Sequence, residues 1–265
     1  MSIESADHER TVPSVQPSLS QVPGTSSLQT SDASSAADRL PVCQCQQNAA
    51  LWQAGQLDQI LRQLTDDLIR SEATGDRLGL LDATNDIACV YRMQGEHLSA
   101  SQFQAQAAVR EMELLGSRRL SATSLSNLAC DALLNGDWPI AEGLFWKSLL
   151  AELAAGNESG AAADWANLGL LAGLQGDHEQ SRYCLWEALK LHRRAGDQLS
   201  LGMDLWHLGQ SFEETGDWSL SARLFQRAEL KFLQIGNNEF RIEARDRKES
   251  AKARLQVTTF DVQRN

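Results

Sequence analysis

Glycines that recur at a fixed spacing are the feature that most constrains the fold of this chain. Successive members of one series lie 40, 41, 40 and 40 residues apart. They are Gly55, Gly95, Gly136, Gly176 and Gly216. A second, interleaved series has spacings of 41, 40, 40 and 40. It comprises Gly75, Gly116, Gly156, Gly196 and Gly236. Glycine commonly ends helices because it adopts the left-handed conformation without a Cβ clash. Two such series at one period predict a repeat of helical hairpins.

The stretch 162–190 shows one complete unit of this repeat. Two runs with helical periodicity, 162–174 and 179–191, flank the pair Gly176 and Asp177. The glycine can close the first helix, and the aspartate can cap the N–H groups that open the second. Most residues that follow the other turn glycines are also Asp, Asn or Ser, which are good N-caps.

Two of the units share a pattern of a large residue, a leucine and a glycine in their first helices. These residues are Trp165, Leu168 and Gly169 in the fourth unit and Leu205, Leu208 and Gly209 in the fifth. The pattern resembles the tetratricopeptide repeat (TPR) family. The resemblance implies an all-α, right-handed solenoid of five hairpins with a C-terminal capping helix. The period of 40 exceeds the usual value of about 34, as in the longer repeats of kinesin light chains and bacterial peptide-sensing regulators. An α-solenoid of another family would show the same turns.

The repeat also sets the expected domain boundaries. Residues 1–40 are rich in Ser, Pro, Gln and Asp and lack aromatic residues, so they are expected to form a disordered arm. The solenoid is expected over 41–255, followed by a flexible tail over 256–265. Its predicted parts are hairpins at about 41–75, 76–116, 117–156, 157–196 and 197–236 and a cap helix at 237–255.

Composition and motifs exclude several functional classes. The chain has no long apolar run and no secretory signal pattern, which predicts a cytoplasmic protein without a membrane span. Its net charge of −11 argues against nucleic acid as the main partner, because phosphate binding needs a cationic face. Cys43 and Cys45 lack a second pair to complete a zinc site, so no metal or cofactor is expected. No catalytic motif is present, and the chain is expected not to be an enzyme.

A polar residue recurs nine positions before each glycine of the first series. These residues are Gln46, Asp86, Asn127, Asn167 and His207. The TPR resemblance implies that this face of each first helix lines a concave groove and that asparagines there hydrogen-bond the backbone of an extended peptide. The alternative is that these side chains pair only with neighbouring helices. The predicted groove residues are Asp82, Asp86, Arg92, Asn127, Asn167, Trp206, His207, Glu213 and Glu214.

Most of the charged groove candidates are acidic, which favours a neutral or basic peptide over a C-terminal carboxylate. The sequence therefore predicts a non-enzymatic module that binds a protein or peptide in its groove. Two other functions stay open. One is a scaffold subunit that self-associates through its end repeats or through the second helices that carry Trp146 and Trp186. The other is a regulator whose groove holds a signalling peptide. The sequence does not predict the oligomeric state.

Overall fold

The computed structural model describes the backbone of residues 57–116 and 120–264 and the side chains of residues 57–116 and 120–256. All regular structure in these residues is α-helical, which confirms the predicted fold class. The ten helices of the described chain are α1 (Leu57–Thr74), α2 (Arg77–Met93), α3 (His97–Leu115), α4 (Ala122–Leu134), α5 (Trp138–Ala155), α6 (Glu158–Leu174), α7 (His178–Ala195), α8 (Gln198–Glu214), α9 (Trp218–Gln234) and α10 (Asn238–Arg264). The predicted arm 1–40, the Cys43–Cys45 pair and Gln46 lie outside the described residues.

Left-handed glycines separate the helices as the sequence predicts. At the turn between α6 and α7, Gly176 has a φ of 79°. The backbone N–H of Asp177 donates to the carbonyl of Ala172 at 2.9 Å, and its carboxylate accepts from the N–H of Gln180 at 2.9 Å. Positive φ also occurs at the other described members of the two series. They are Gly75, Gly95, Gly116, Gly136, Gly156, Gly196, Gly216 and Gly236.

The start of α4 differs from the regular pattern. Ser117, which follows the turn glycine Gly116 and is one of the N-caps predicted from the sequence, lies outside the described residues. The hydroxyl of Ser121 accepts a hydrogen bond from the N–H of Ser124 at 3.2 Å, so Ser121 is the N-cap of this helix. The carboxylate of Glu111 in α3 accepts from the N–H of Ser121 at 3.1 Å. This contact ties the helix start to the preceding hairpin.

The helices stack as a solenoid of hairpins. Hairpins two to five are formed by α2 with α3, α4 with α5, α6 with α7, and α8 with α9. The second helix of each hairpin packs against the first helix of the next, and α4 contacts α6 as α6 contacts α8. We call the surface shared by α2, α4, α6 and α8 the first-helix face. The contacts between successive hairpins are called junction 2/3, junction 3/4 and junction 4/5.

Small residues let the two helices of a hairpin approach closely. A Cβ atom at Gly169 would lie 2.7 Å from the side chain of Leu185, and one at Gly209 would lie 2.9 Å from the ring of Phe225. These two glycines are the ones that carry the resemblance in the sequence. The buried core centres on large residues of the second helices, such as Phe145 and Phe225.

The capping helix is longer than predicted. Helix α10 continues past residue 255 to Arg264, so the predicted boundary between cap and flexible tail is corrected. No glycine or proline occurs between these positions to end the helix. Lys248 joins α10 to α9 through an ion pair with Glu229 at 2.7 Å. Within the described residues, no helix is both long and apolar enough to cross a membrane.

Candidate functional site

The predicted asparagine ladder is covered rather than open. Asn127 exposes 1% of its surface and Asn167 exposes none. The side-chain amide of Asn167 donates to the sulfur of Cys130 at 3.8 Å. At the other end of the first-helix face, Asp82 is exposed and Asp86 is half-buried. Burial, and secondly the charge of Asp82, raises the pKa of the Asp86 carboxyl.

The predicted groove cation is engaged inside junction 2/3. Arg92 exposes 3% of its surface, and its Nε donates to Oδ1 of Asp131 at 2.7 Å. Asp131 belongs to the first helix of the next hairpin, so the ion pair links α2 to α4. A buried pair of this kind has given up its hydration. Arg92 is therefore part of the packing and does not serve as a surface cation.

Two further candidates also contribute to structure. Trp206 is buried in the core of hairpin five, where its ring packs edge-on against Phe225 with centroids 6.4 Å apart. Glu213 pairs with Arg247 of the capping helix at 3.4 Å. Burial is the main cause that raises the pKa of Glu213. The prediction that these two side chains line the groove is corrected, because each faces a neighbouring helix.

His207 and Glu214 are the predicted residues that the structure brings together in one cleft. The cleft lies at junction 4/5 and has a volume of about 460 Å³, including the solvent at its mouth. Helix α6 contributes Gly169 and Gly173 to the wall, and α7 contributes Ser181. Helix α8 contributes four polar side chains. They are His207, Gln210, Ser211 and Glu214.

The polar side chains of the cleft present hydrogen-bond acceptors. Burial lowers the pKa of His207 to about 4, so its imidazole is neutral at pH 7. Nδ1 of His207 lies 3.2 Å from Oε1 of Gln210. Because this oxygen can only accept, Nδ1 carries the proton and Nε2 is left as an acceptor. Of the residues that line the cleft, Glu214 alone carries a formal charge.

Ser211 places a buried hydroxyl group at the wall of the cleft. It exposes 3% of its surface, and its hydroxyl has no hydrogen-bond partner among the described residues. A buried hydroxyl without a partner costs about 1–3 kcal/mol. Glu214 lies nearer the mouth, where one of its oxygens is 3.2 Å from Nδ1 of His178. The side chain of Glu214 is exposed, so its carboxylate is accessible to a ligand.

Gly173, Gln210 and Ser211 also line the cleft, although none of them was predicted from the sequence. A column-by-column comparison of the repeats shows a signal for them. Gly173 and Ser211 stand three and five positions before their turn glycines, where the preceding hairpins have Leu133 and Leu171. Glycine and serine therefore replace two leucines at junction 4/5, and the space that the leucines would fill becomes the cleft.

The second helices present a different kind of surface. The rings of Trp146 on α5, Trp165 on the first helix α6 and Tyr183 on α7 form a row with successive centroids 5.4 and 5.8 Å apart, each pair nearly perpendicular. Trp165 is half-buried within this row. Tyr183 and Trp186 on α7 are partly exposed, and Leu150 on α5 exposes 64% of its surface.

Comparisons with solved structures identify the architecture. BtubC (BKLC) from P. vanneervenii has a TM-score of 0.53 and 16% identity, over 76% of this chain and 92% of that one. A variant of the nearly identical TPR-like repeats of a kinesin light chain-like protein from Podosopora anserina has a TM-score of 0.51 and 15% identity, over 74% and 95%. The chain has a TPR-like helical-repeat fold. Identities this low establish the fold alone. No protein-family model and no curated protein matches the sequence.

Proposed function

We propose that this chain is a non-enzymatic, cytoplasmic interaction module whose TPR-like solenoid binds an extended segment of a partner protein on the first-helix face. TPR-like repeat proteins are typically interaction or scaffold modules. The observation that carries the proposal is the cleft at junction 4/5. It lies on the first-helix face and combines an apolar wall with polar groups that have spare hydrogen-bonding capacity. Such a combination is typical of binding sites.

The charge of this face favours a neutral or basic partner segment. Glu214 is the charged residue of the cleft, and Asp82 and Asp86 lie on the same face in α2. Arg92 does not offset these charges towards a ligand, because its guanidinium is paired with Asp131. Exposed charges of one sign also make association dependent on salt, since they are screened beyond about 8 Å at physiological ionic strength.

Photo-crosslinking tests which face binds. A photo-reactive phenylalanine at Leu174, on the wall of the cleft, should capture a partner protein from cell extract. The matched control carries the same group at the exposed Leu150 on second helix α5. We expect capture at position 174 and none at position 150. Capture at position 150 alone would move the binding surface to the second helices and overturn the proposal.

A second candidate function is self-association as a scaffold subunit. The observation that favours it is the partly exposed aromatic and aliphatic surface of α5 and α7, which includes Leu150, Tyr183 and Trp186. Sedimentation over a wide range of protein concentration tests this function. A dimer that Trp186→Ala dissociates would support self-association through these helices. A monomer at all concentrations would leave the first-helix face as the working surface.

A further inference from the structure

The cleft occupies a place that the chain itself fills with a guanidinium two junctions earlier in the solenoid. Arg92 stands three positions before its turn glycine, and Asp131 stands five positions before the turn glycine of the next hairpin. At junction 4/5 these two places are held by Gly173 and Ser211. Junction 2/3 thus shows that this place in the architecture can hold a buried guanidinium between two first helices.

The groups that remain at junction 4/5 suit a donor-rich cation. Nε2 of His207 and Oγ of Ser211 can each accept a hydrogen bond, and Glu214 supplies the negative charge. These residues lie four and three positions apart along α8, so they share one side of the helix. A guanidinium has five N–H donors and is more weakly hydrated than an ammonium group, so it can satisfy several acceptors in a half-open cleft.

We propose that the cleft receives one arginine side chain of the bound partner segment. Its guanidinium lies between Gly173 and Ser211, as that of Arg92 lies against Asp131 at junction 2/3, and pairs with Glu214 at the mouth. The inference rests on the proposed function, because it assigns the residue that the first-helix face selects. It adds a specific chemical requirement, namely one arginine at a fixed position of the segment.

The first test uses a probe that does not depend on the partner. N-acetyl-L-arginine amide is titrated into the full chain, and NMR chemical shifts of His207 and Ser211 report its binding. N-acetyl-L-citrulline amide is the matched control, because it has a similar shape without the charge. We expect the arginine compound to bind about tenfold more tightly, as a charge-assisted hydrogen bond predicts. Equal binding of the two compounds, or no shift at either residue, would overturn the proposal.

Protein variants separate recognition from folding. Gly173→Leu should fill the cleft, because Gly173 lines its wall; the added Cβ atom would lie 3.3 Å from the hydroxyl of Ser181, which can rotate away. The matched control is Gly143→Leu on α5, where an added Cβ atom meets nothing within 4 Å. Both replace a helical glycine, so both should fold as well as the natural chain. We expect arginine binding to fall about tenfold or more with Gly173→Leu and to stay unchanged with Gly143→Leu.

Two further variants test the polar groups. Glu214→Gln should weaken arginine binding about tenfold, whereas Glu142→Gln, the same change at an exposed site on α5, should leave it unchanged. Ser211→Ala should weaken arginine binding by about threefold to tenfold. Ser221→Ala is its control, because Ser221 is also buried and without a hydrogen-bond partner in the described chain but does not line the cleft. Unchanged binding with both Glu214→Gln and Ser211→Ala would place the arginine elsewhere.

A degenerate peptide library distinguishes the failure of this inference from the failure of the proposed function. Enrichment of peptides with arginine at one fixed position, lost with Gly173→Leu, supports both. Peptides that crosslink through position 174 without a preference for arginine would retain the proposed function and overturn the inference. Binding of the arginine amide without capture of any peptide or protein at position 174 would overturn the proposed function and leave an arginine-sized site.

Discussion

Junctions 3/4 and 4/5 are built on the same repeat positions and pack differently. At junction 3/4, Leu133 and Leu171 fill the space between the first helices, and Leu171 is almost fully buried. At junction 4/5, Gly173 and Ser211 stand in their places and leave a cleft. The difference shows that the repeat fixes where the helices lie, whereas a few residues decide whether the space between them is packed or open to a ligand.

The buried ion pair of junction 2/3 should give the largest effect of substitution. Arg92→Leu leaves the carboxylate of Asp131 without its cation, which should lower the free energy of unfolding by about 3–5 kcal/mol. The double variant Arg92→Leu with Asp131→Leu copies Leu133 and Leu171 of junction 3/4 and should regain most of this loss. Urea denaturation followed by circular dichroism measures both. A double variant no more stable than the single one would show that the packing of one junction cannot replace that of another.

Truncating the leucine of junction 3/4 should have the next largest effect. Leu171→Ala removes a buried side chain and creates a cavity, so the free energy of unfolding should fall by about 2–5 kcal/mol. Ser211→Ala is the equivalent change at junction 4/5 and should raise the free energy of unfolding by about 1–3 kcal/mol, because it removes a buried hydroxyl that has no hydrogen-bond partner among the described residues. Denaturation of the two variants side by side tests the contrast. Similar losses would mean that junction 4/5 is packed like its neighbour.

A smaller effect should come from buried carboxyl groups. Asp164 in α6 accepts a hydrogen bond from Ser126 at 2.7 Å, and burial raises its pKa to about 7, with the nearby charge of Glu152 acting in the same direction. The positions of Glu152 and Asp164 at junction 3/4 correspond to those of His192 and Asp204 at junction 4/5. Nδ1 of His192 lies 2.7 Å from Oδ2 of Asp204. Junction 3/4 therefore places two carboxyl groups where junction 4/5 has an imidazole and a carboxyl group.

The raised pKa of Asp164 sets the direction in which the free energy of unfolding changes with pH. An unfolded aspartate loses its proton near pH 4, whereas the folded one retains it up to about pH 7. The unfolded state thus binds fewer protons in this window, so the free energy of unfolding should fall by about 1–3 kcal/mol as the pH rises through it. Asp164→Asn should flatten this dependence in urea denaturation series at several pH values. An unchanged slope would assign the dependence to other groups.

Local sequence signals were sufficient to predict the helices and the turns between them. Gly176 and Asp177 identified a turn because a left-handed glycine and an N-capping aspartate act on residues only a few positions away. Trp206 and Arg92 were placed wrongly because their environments depend on other helices. Trp206 packs against Phe225 of α9, and Arg92 meets Asp131 of the next hairpin. The cytoplasmic location, the neutral or basic partner and the alternative of a self-associating scaffold stay predictions.

The candidate site was predictable in part. His207 and Glu214 were assigned to the first-helix face from their positions in α8, and both line the cleft. The roles of Gly173 and Ser211 were not predicted, although each replaces a leucine that stands at the same repeat position in the preceding hairpin. That departure becomes informative only when the two positions, 38 residues apart, are known to face each other across one junction.

Sequence periodicity therefore specified the hairpins, their order and the left-handed turns, because each of these depends on interactions between residues close together in the chain. Burial and pairing depended on the stacking of one hairpin on the next. This stacking covered Asn127 and Asn167, enclosed the guanidinium of Arg92 and left the hydroxyl of Ser211 without a partner in the described structure. Those outcomes are set by side chains about 40 residues apart, whose contacts exist only once the solenoid has formed.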